Sequence, residues 1–203
     1  GNYTVTLSDT ANCSFTSAPA TVVVNPLPTV TISASGNTTV CQGSAVNLNA
    51  GSGTSYASYQ WNLNGAPIAA ATSATFAATS TGSYSLTVTD ANGCSATSNT
   101  VSVTIRELPV ATITGNPAIC QGGSTILSAN TGTGRTYQWK RNNVNIIGAT
   151  TANYTAITAG TYTVTVTSNG CSATSNAITV TVNSLPTVSV SATGSTSFCP
   201  GGS

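Results

Sequence analysis

The sequence predicts an all-β protein made of β-sandwich domains in a linear tandem array. Three observations lead to this prediction: a repeat of about 79 residues, a period-two alternation of apolar and hydroxyl-bearing residues, and a near absence of charge. Of the 203 residues, 39% are hydrophobic and 3% are charged, and none is His. Short alternating segments separated by turn residues favour strands that bury one face.

Two long stretches of the chain repeat each other. Their first cysteines are 120 − 41 = 79 residues apart, their tryptophans 139 − 61 = 78, and their second cysteines 171 − 94 = 77. Cys13 and Cys199 continue the two cysteine series into the flanking segments. We therefore expect a segment of a longer array, with a parent polypeptide that extends beyond both ends. Such arrays usually do mechanical or adhesive work rather than catalysis.

Three Leu-Pro junctions mark the predicted domain boundaries: Leu27-Pro28, Leu108-Pro109 and Leu185-Pro186. We predict that 1–25 is the C-terminal part of a repeat, that 26–107 and 108–184 are complete repeats, and that 185–203 is the N-terminal part of a further repeat. Proline fixes the backbone angle φ, and no Gly/Ser-rich linker intervenes, so the junctions favour stiff end-to-end docking.

The strands are predicted from the alternation itself. Residues 84–89 and 162–167 alternate apolar residues with Ser or Thr, and so do 45–48 and 59–63. Residues 21–24, 101–105 and 177–182 read as strands that precede the three junctions. Asn64-Gly65, Asn92-Gly93 and Asn169-Gly170 are hairpin-turn signals. Several short strands for each repeat of about 79 residues indicate a β-sandwich.

The details resemble an immunoglobulin-like (Ig-like) domain. Tyr59-Gln60-Trp61 resembles strand C with its buried tryptophan, and Gly82-Ser83-Tyr84 resembles the start of strand F with its corner tyrosine. The resemblance implies that four aromatic residues anchor the two cores: Trp61, Trp139, Tyr84 and Tyr162.

The cysteines depart from the Ig pattern. The usual cysteines of strands B and F are absent, and apolar residues lie near those positions: Leu48 and Leu86 in one repeat, Leu127 and Val164 in the other. An apolar pair is therefore expected to replace the inter-sheet bridge.

More narrowly, three phrases resemble the Ig-like and PKD-like repeats of very large secreted surface proteins of Bacteroidetes-type bacteria, including gliding adhesins. They are Val-Cys-Gln-Gly-Ser at 40–44, Tyr-Gln-Trp-Asn-Leu-Asn-Gly at 59–65, and Asp-Ala-Asn-Gly-Cys-Ser-Ala at 90–96. This resemblance implies export, commonly by the type IX system, and a surface or filament role, and it implies no catalytic residue.

Two cysteines in each repeat of an exported chain indicate disulfides. If the domain is Ig-like, the two cysteines of one repeat lie at opposite ends of strand F, too far apart for a bond that needs Cα atoms within about 7 Å. The favoured pairing is therefore between domains, Cys41 with Cys171. Cys13, Cys94, Cys120 and Cys199 would then have partners outside this chain segment. Bridges within a repeat (Cys41–Cys94 and Cys120–Cys171), inter-chain bonds and free thiols remain as alternatives.

Catalysis is not expected from these residues, and neither a cofactor nor a metal is predicted. The acids are Asp9, Asp90 and Glu107 alone, and a Ser or Thr nucleophile has no His as its base. Asp90 near Asn92 could hint at calcium, but that ion needs six to eight oxygens, and a turn-capping role is favoured.

Side chains that could bind ligands also have plainer interpretations. Tyr56, Tyr59, Tyr137 and Tyr154 could stack on sugars, but core and sheet packing is favoured. The cations Arg135, Lys140 and Arg141 are interpreted as a solvated face. Asp9-Thr10-Ala11 resembles a bacterial O-glycosylation sequence, which makes Thr10 a candidate modification site.

We predict a structural, non-enzymatic array outside the cell or at its surface: a stiff fibre, filament or adhesin shaft stabilised by disulfides. Its expected partners are further copies of the repeat, lateral copies in a fibre and, in some settings, surface glycans. The net charge of +1 argues against nucleic acid, and no apolar run is long enough for membrane insertion. The alternative is a glycan- or surface-binding accessory module of an exported enzyme.

Overall fold

The computed structural model describes residues 1–51, 56–194, 196–197 and 199–201. The chain divides into two units, Gly1–Arg106 and Glu107–Ser203. The described residues form strands and no helix, which confirms the all-β prediction. The predicted segment 185–203 includes four residues outside the described part: Ser195, Phe198, Gly202 and Ser203.

The first unit begins with two small antiparallel sheets. Its strands are β1 (Asn2–Tyr3), β2 (Thr6–Ser8), β3 (Ser14–Thr16) and β4 (Ala20–Thr21). β1 pairs with β4 and β2 pairs with β3, and all their side chains are exposed. The strand expected over 21–24 ends at Thr21. The corresponding segments of the two complete domains are longer strands, and each of those has a parallel partner.

The rest of the first unit is a complete domain, called the first domain below. Its strands are β5 (Ile32–Ala34), β6 (Thr39–Cys41), β7 (Val46–Ala50), β8 (Ser58–Leu63), β9 (Ala66–Pro67), β10 (Thr75–Ala78), β11 (Gly82–Thr89), β12 (Ser95–Thr97) and β13 (Val101–Arg106). One sheet has the order β10-β7-β5, and the other has the order β6-β13-β11-β8-β9, with β12 also paired to β11.

The second domain repeats this order within the second unit. Its strands are β14 (Ile113–Thr114), β15 (Ala118–Cys120), β16 (Thr125–Ala129), β17 (Thr136–Arg141), β18 (Val144–Asn145), β19 (Asn153–Ala156), β20 (Gly160–Ser168), β21 (Cys171–Thr174) and β22 (Ile178–Asn183). Its sheets have the orders β14-β16-β19 and β15-β22-β20-β17-β18, with β21 also paired to β20.

Both complete domains are therefore Ig-like β-sandwiches that follow one another along the chain. In Ig nomenclature, a sheet of strands A, B and E faces a sheet of strands A′, G, F, C and C′. Strands A, B and E are β5, β7 and β10 in the first domain and β14, β16 and β19 in the second, and strands A′, G, F, C and C′ are β6, β13, β11, β8 and β9 in the first domain and β15, β22, β20, β17 and β18 in the second. In each domain the A′ strand pairs parallel with the last strand, β6 with β13 and β15 with β22. All other strand pairs are antiparallel.

The alternation in sequence places one face of each central strand in the core. Tyr84, Leu86 and Val88 of β11 are buried, and so are Tyr162, Val164 and Val166 of β20. The intervening Ser and Thr residues lie on the opposite face, where cross-strand hydroxyls pair. Thr87 Oγ1 lies 3.2 Å from Thr97 Oγ1, for example.

Two of the predicted Asn-Gly turns are two-residue hairpin loops. Asn64 and Gly65 have φ of 52° and 83° between β8 and β9, and Asn169 and Gly170 have φ of 51° and 80° between β20 and β21. Two successive positive φ angles define a type I′ turn, which suits the twist of the flanking strands. The two turn predictions are confirmed.

Candidate functional site

The candidate site is the set of cysteines at the ends of the domains. Cys41 is the last residue of β6, where it pairs with Arg106, the last residue of β13. The Gln42 N–H donates to the Arg106 carbonyl at 2.7 Å, and the Ser44 N–H donates to the Cys41 carbonyl at 3.0 Å. These hydrogen bonds fix Cys41 at the end of the first domain from which the chain leaves.

Cys171 occupies the opposite kind of position in the second domain. It follows the Asn169-Gly170 turn directly and pairs with Ser168, the last residue of β20. Its side chain is 1% exposed. Arg135 directly precedes β17, which pairs with β20 at this end of the domain, and its guanidinium donates to the Val110 carbonyl at 3.5 Å. Cys171 therefore lies at the end through which the chain enters the second domain.

The cysteines fall into two oxidation states. Cys41 and Cys171 are disulfide-bonded. The other four carry free thiols: Cys13, Cys94, Cys120 and Cys199.

Strand geometry within each domain separates the two cysteines of that domain. Cys41 lies beyond the Gly82 end of β11, and Cys94 lies beyond the Thr89 end. The strand between them has 8 residues, or about 26 Å at about 3.3 Å per residue. In the second domain, β20 separates Cys120 from Cys171 in the same way over 9 residues. A disulfide within either domain would require the sandwich to open.

Asp90 caps the turn that carries Cys94. One carboxylate oxygen of Asp90 accepts the N–H groups of Asn92 and Cys94, both at 2.9 Å. Asp9 makes the same pair of hydrogen bonds to Ala11 and Cys13. Among the described residues, no three His, Cys, Asp or Glu side chains group closely enough to hold a metal ion. These carboxylates therefore act on the backbone of a turn.

The tryptophans and corner tyrosines occupy the centres of the two cores. Trp61 and Trp139 are fully buried, and each indole N–H donates to a backbone carbonyl, of Ser73 at 2.9 Å and of Thr151 at 2.8 Å. A third aromatic ring joins each pair: Phe76 lies between Trp61 and Tyr84, and Tyr154 lies between Trp139 and Tyr162, with ring centroids 5.7 to 5.8 Å apart.

The corner tyrosines close the loop before strand F. The Tyr84 hydroxyl donates to the Ser80 carbonyl at 2.8 Å, and the Tyr162 hydroxyl donates to the Thr158 carbonyl at 2.9 Å. Burial raises the pKa of Tyr84 above its ordinary value of 10.0, because the phenolate would lose its hydration.

The apolar pairs expected in place of an inter-sheet bridge are all in the core. Leu48, Leu86, Leu127 and Val164 are each fully buried. The sandwich is thus closed by packing alone at the position where an Ig domain usually has its disulfide.

The tyrosines considered for sugar stacking lie in or against the cores. Tyr56 is buried, and its hydroxyl donates to the Thr29 carbonyl. Tyr59, Tyr137 and Tyr154 are half-buried and pack against the core clusters. Their packing agrees with the favoured interpretation.

The three cations near strand C do not form one patch. Arg135 precedes β17 and Arg141 ends it, so their Cα atoms are about 20 Å apart along the strand. Arg135 donates to the Asn130 carbonyl at 3.3 Å, and Arg141 donates to the Thr158 hydroxyl. The structure thus uses two of the three cations to tie loops to their own domain.

Thr10 and the junction leucines are all accessible. Thr10 is exposed in the turn between Asp9 and Cys13. The exposed fractions of Leu27, Leu108 and Leu185 are 70%, 42% and 57%. These leucines are therefore only partly covered.

Sequence reasoning missed an asparagine clamp on the first strand of each domain. The Asn99 side chain accepts the Ile32 N–H at 2.8 Å and donates to the Ile32 carbonyl at 3.0 Å. Asn176 does the same to Ile113 at 3.2 and 3.4 Å. The sequence feature that could have indicated this asparagine is the phrase Ala-Thr-Ser-Asn, which occurs in both repeats, at 96–99 and 173–176. The phrase does not show the alternation of apolar and polar residues that marks a strand.

Among the described residues, no helix is long and apolar enough to span a bilayer.

Comparisons with known proteins gave one family match and several solved structures of low similarity. A family model described as a domain of unknown function (DUF8696) matches residues 110–184, which is the second domain. No curated protein sequence matches the chain.

Three solved structures illustrate the likeness. Murine CEACAM1b is 17% identical with a TM-score of 0.38, over 76% of this chain and 100% of that one. The mouse coronavirus receptor-binding domain complexed with its murine receptor is 16% identical with a TM-score of 0.41, over 76% of this chain and 100% of that one. The fibronectin(III)-like modules of Clostridium thermocellum CbhA are 9% identical with a TM-score of 0.39, over 75% of this chain and 94% of that one. The class of the chain, tandem Ig-like β-sandwiches, rests on its own strand order and corner tyrosines.

Proposed function

We propose that this chain is part of a stiff extracellular array of Ig-like domains that serves as a surface fibre, filament or adhesin shaft. One observation carries the proposal: Cys41 and Cys171 are disulfide-bonded, while the other cysteine of each domain, Cys94 in the first and Cys120 in the second, is a free thiol. Disulfides and Ig-like folds are typical of extracellular proteins.

The proposed bond is Cys41 to Cys171, from the exit end of the first domain to the entry end of the second. With the Leu-Pro linker, it closes a covalent ring around the junction. Bending at the linker would then be restricted, and tension would pass through sulfur as well as through backbone. Cys120 corresponds to Cys41 and would bond to a cysteine of the following repeat. Cys94 corresponds to Cys171 and would bond to a cysteine of the preceding repeat.

The resemblance to repeats of gliding-adhesin type surface proteins of Bacteroidetes-type bacteria supports a surface location and a mechanical role. The predicted partners are further copies of the same repeat in the parent chain. No catalytic role is proposed, because the hydroxyl nucleophiles have no His as a base and two of the three carboxylates cap turns.

A glycan-binding accessory module is the competing function. Its expected stacking residues were the four tyrosines at positions 56, 59, 137 and 154. Those rings pack in or against the cores, so this alternative has less support than the structural one.

The test compares single cysteine variants of the oxidised chain. Cys41→Ser and Cys171→Ser each remove the proposed Cys41–Cys171 disulfide. Cys94→Ser is the matched control, because it removes a thiol that is free. We expect small-angle X-ray scattering to give a broader distribution of inter-domain distances for the first two variants, and for reduced wild type. The control should match oxidised wild type. Equal scattering from all four proteins would overturn the proposal.

A further inference from the structure

The second domain has a surface cavity that the proposed function does not use. Its volume is about 510 Å³, and its lining includes Arg141, Val144, Ile147 and Tyr154. The exposed fractions of Val144 and Ile147 are 69% and 100%, so two branched apolar side chains stand in solvent beside a guanidinium. Large exposed apolar side chains grouped around a charge are typical of a contact site.

The first domain lacks these features. When the domains are aligned on their tryptophans, at an offset of 78, Leu63, Ala66 and Ala69 occupy the positions of Arg141, Val144 and Ile147. A surface composed mostly of Ser, Thr, Ala and Asn has therefore acquired a cation and two large apolar groups at one place in one domain. The fold itself does not require them, because the first domain forms the same strands without them.

The guanidinium retains donors for a ligand. Arg141 donates to the Thr158 hydroxyl, and a guanidinium has five N–H donors in a planar fork. A carboxylate is the group that matches this fork best, because it can accept two parallel hydrogen bonds. The ligand should therefore carry a carboxylate next to apolar groups.

This chain contains a segment with that chemistry. Asp9 and Asp90 are engaged in their turns, and Glu107 has no hydrogen-bond or ion-pair partner among the described residues. Glu107 is exposed, and it is followed by Leu108 and Val110, which are 42% and 65% exposed. Residues 107–110 are called the junction segment below.

We propose that the cavity binds the junction segment of a second copy of this chain, with Glu107 on Arg141 and with Leu108 against Val144 and Ile147. Within one copy the two regions lie at opposite ends of the domain. Arg135 binds the Val110 carbonyl at the beginning of β17, and Arg141 is six residues further along, about 20 Å away. The contact therefore joins two copies.

The contact is heterologous, because a cavity on one copy meets a different surface on the next. Such contacts build open assemblies unless their rotation closes a ring. The inference thus rests on the proposed function and deepens it: it names the lateral partner of the array and the residues that would hold it.

Charge reversal tests this pairing. We expect oxidised wild type, with its free thiols alkylated, to associate as its concentration rises in sedimentation equilibrium. Arg141→Glu and Glu107→Arg should each weaken association by at least tenfold, since each places like charges in contact. A one-to-one mixture of the two variants should associate again, because each cavity then meets a segment of opposite charge.

Ser102→Glu, on an exposed position of β13, is the control for added negative charge and should associate as wild type does. A monomeric wild type, or single variants that associate unchanged, would overturn the inference. The same samples should be checked for the Cys41–Cys171 bond. If the bond is present and wild type is monomeric, only the lateral contact fails; if the bond is absent, the proposed function itself fails.

Discussion

Thr165 shows how a single substitution between repeats changes the hydrogen bonding of a sheet face. Its hydroxyl is buried and has no hydrogen-bond partner among the described residues. In the first domain the corresponding Thr87 hydroxyl accepts a hydrogen bond from the Asn62 side chain at 3.0 Å. Lys140 stands in place of Asn62 in the second domain, so the donor is missing.

Replacing Lys140 by Asn should restore that donor. We expect Lys140→Asn to stabilise the second domain by about 1 kcal/mol, the usual net contribution of one hydrogen bond. Urea unfolding monitored by tryptophan fluorescence measures the change. Lys140→Leu removes the same charge without adding a donor, and it should give no such gain; an equal gain from both variants would contradict the explanation.

The corner tyrosines should contribute through their hydroxyls. Tyr84→Phe leaves the Ser80 carbonyl without its donor, so we expect a loss of about 1 to 3 kcal/mol in the free energy of unfolding. Tyr3→Phe is the matched control, because Tyr3 is 64% exposed, and it should change little. Chemical denaturation at neutral pH separates the two outcomes.

The same tyrosine predicts a pH dependence. Because burial raises the pKa of Tyr84 above 10.0, the neutral form is favoured in the folded state. The associated stability is fully present below pH 10 and is lost as the pH rises through the folded pKa. Wild type should therefore lose more stability than Tyr84→Phe above pH 10 in parallel urea titrations, and equal losses would count against this role.

At the scale of elements, the first strand of each domain depends on an asparagine 63 or 67 residues away. Asn99 makes hydrogen bonds of 2.8 and 3.0 Å to Ile32, and Asn176 makes bonds of 3.2 and 3.4 Å to Ile113. Shorter hydrogen bonds near the ideal distance are the stronger ones. The clamp should therefore matter more in the first domain.

We expect Asn99→Ala to cost about 2 kcal/mol, one for each hydrogen bond, and Asn176→Ala to cost less. Amide hydrogen exchange of Ile32 should accelerate in the first variant while that of Leu86, in the centre of the other sheet, changes only with global stability. Unchanged protection at Ile32 would show that strand β5 is held by its pairing with β7 alone.

The strands that could be predicted from sequence are those whose pattern is local. Residues 84–89 and 162–167 alternate strictly, and their strands β11 and β20 form as expected. The short strands β6 and β15 were not predicted, because they consist of three residues each and exist through parallel pairing with a strand 63 to 65 positions away. Such pairing leaves no period in the local sequence.

The candidate site shows the same limit. The repeat spacing and the Ig resemblance were enough to put the two cysteines of each repeat at opposite ends of strand F and to favour a bond between domains. The cavity around Arg141 could not be predicted, because it depends on how Val144 and Ile147 stand relative to Tyr154 after the hairpin has folded. In the sequence, Arg141 indicated only part of a solvated face, and Tyr154 indicated core or sheet packing.

At the scale of the whole molecule, the proposed Cys41–Cys171 disulfide links residues that are 171 − 41 = 130 positions apart. Loop closure of that length stabilises by up to about 5 kcal/mol in the chain-entropy account. We expect reduction to lower the midpoint of thermal unfolding of wild type in calorimetry. Cys41→Ser should already have the lower midpoint and should not respond to the reductant.

The most direct test of the account is a disulfide map of the native chain, obtained by non-reducing proteolysis and mass spectrometry. The account predicts a peptide pair joined through Cys41 and Cys171, with Cys94 and Cys120 recovered as thiols or bonded to cysteines of neighbouring repeats. Peptide pairs joined through Cys41–Cys94 and Cys120–Cys171 would contradict it. The domains would then be independent beads, and a flexible display array would replace the stiff shaft.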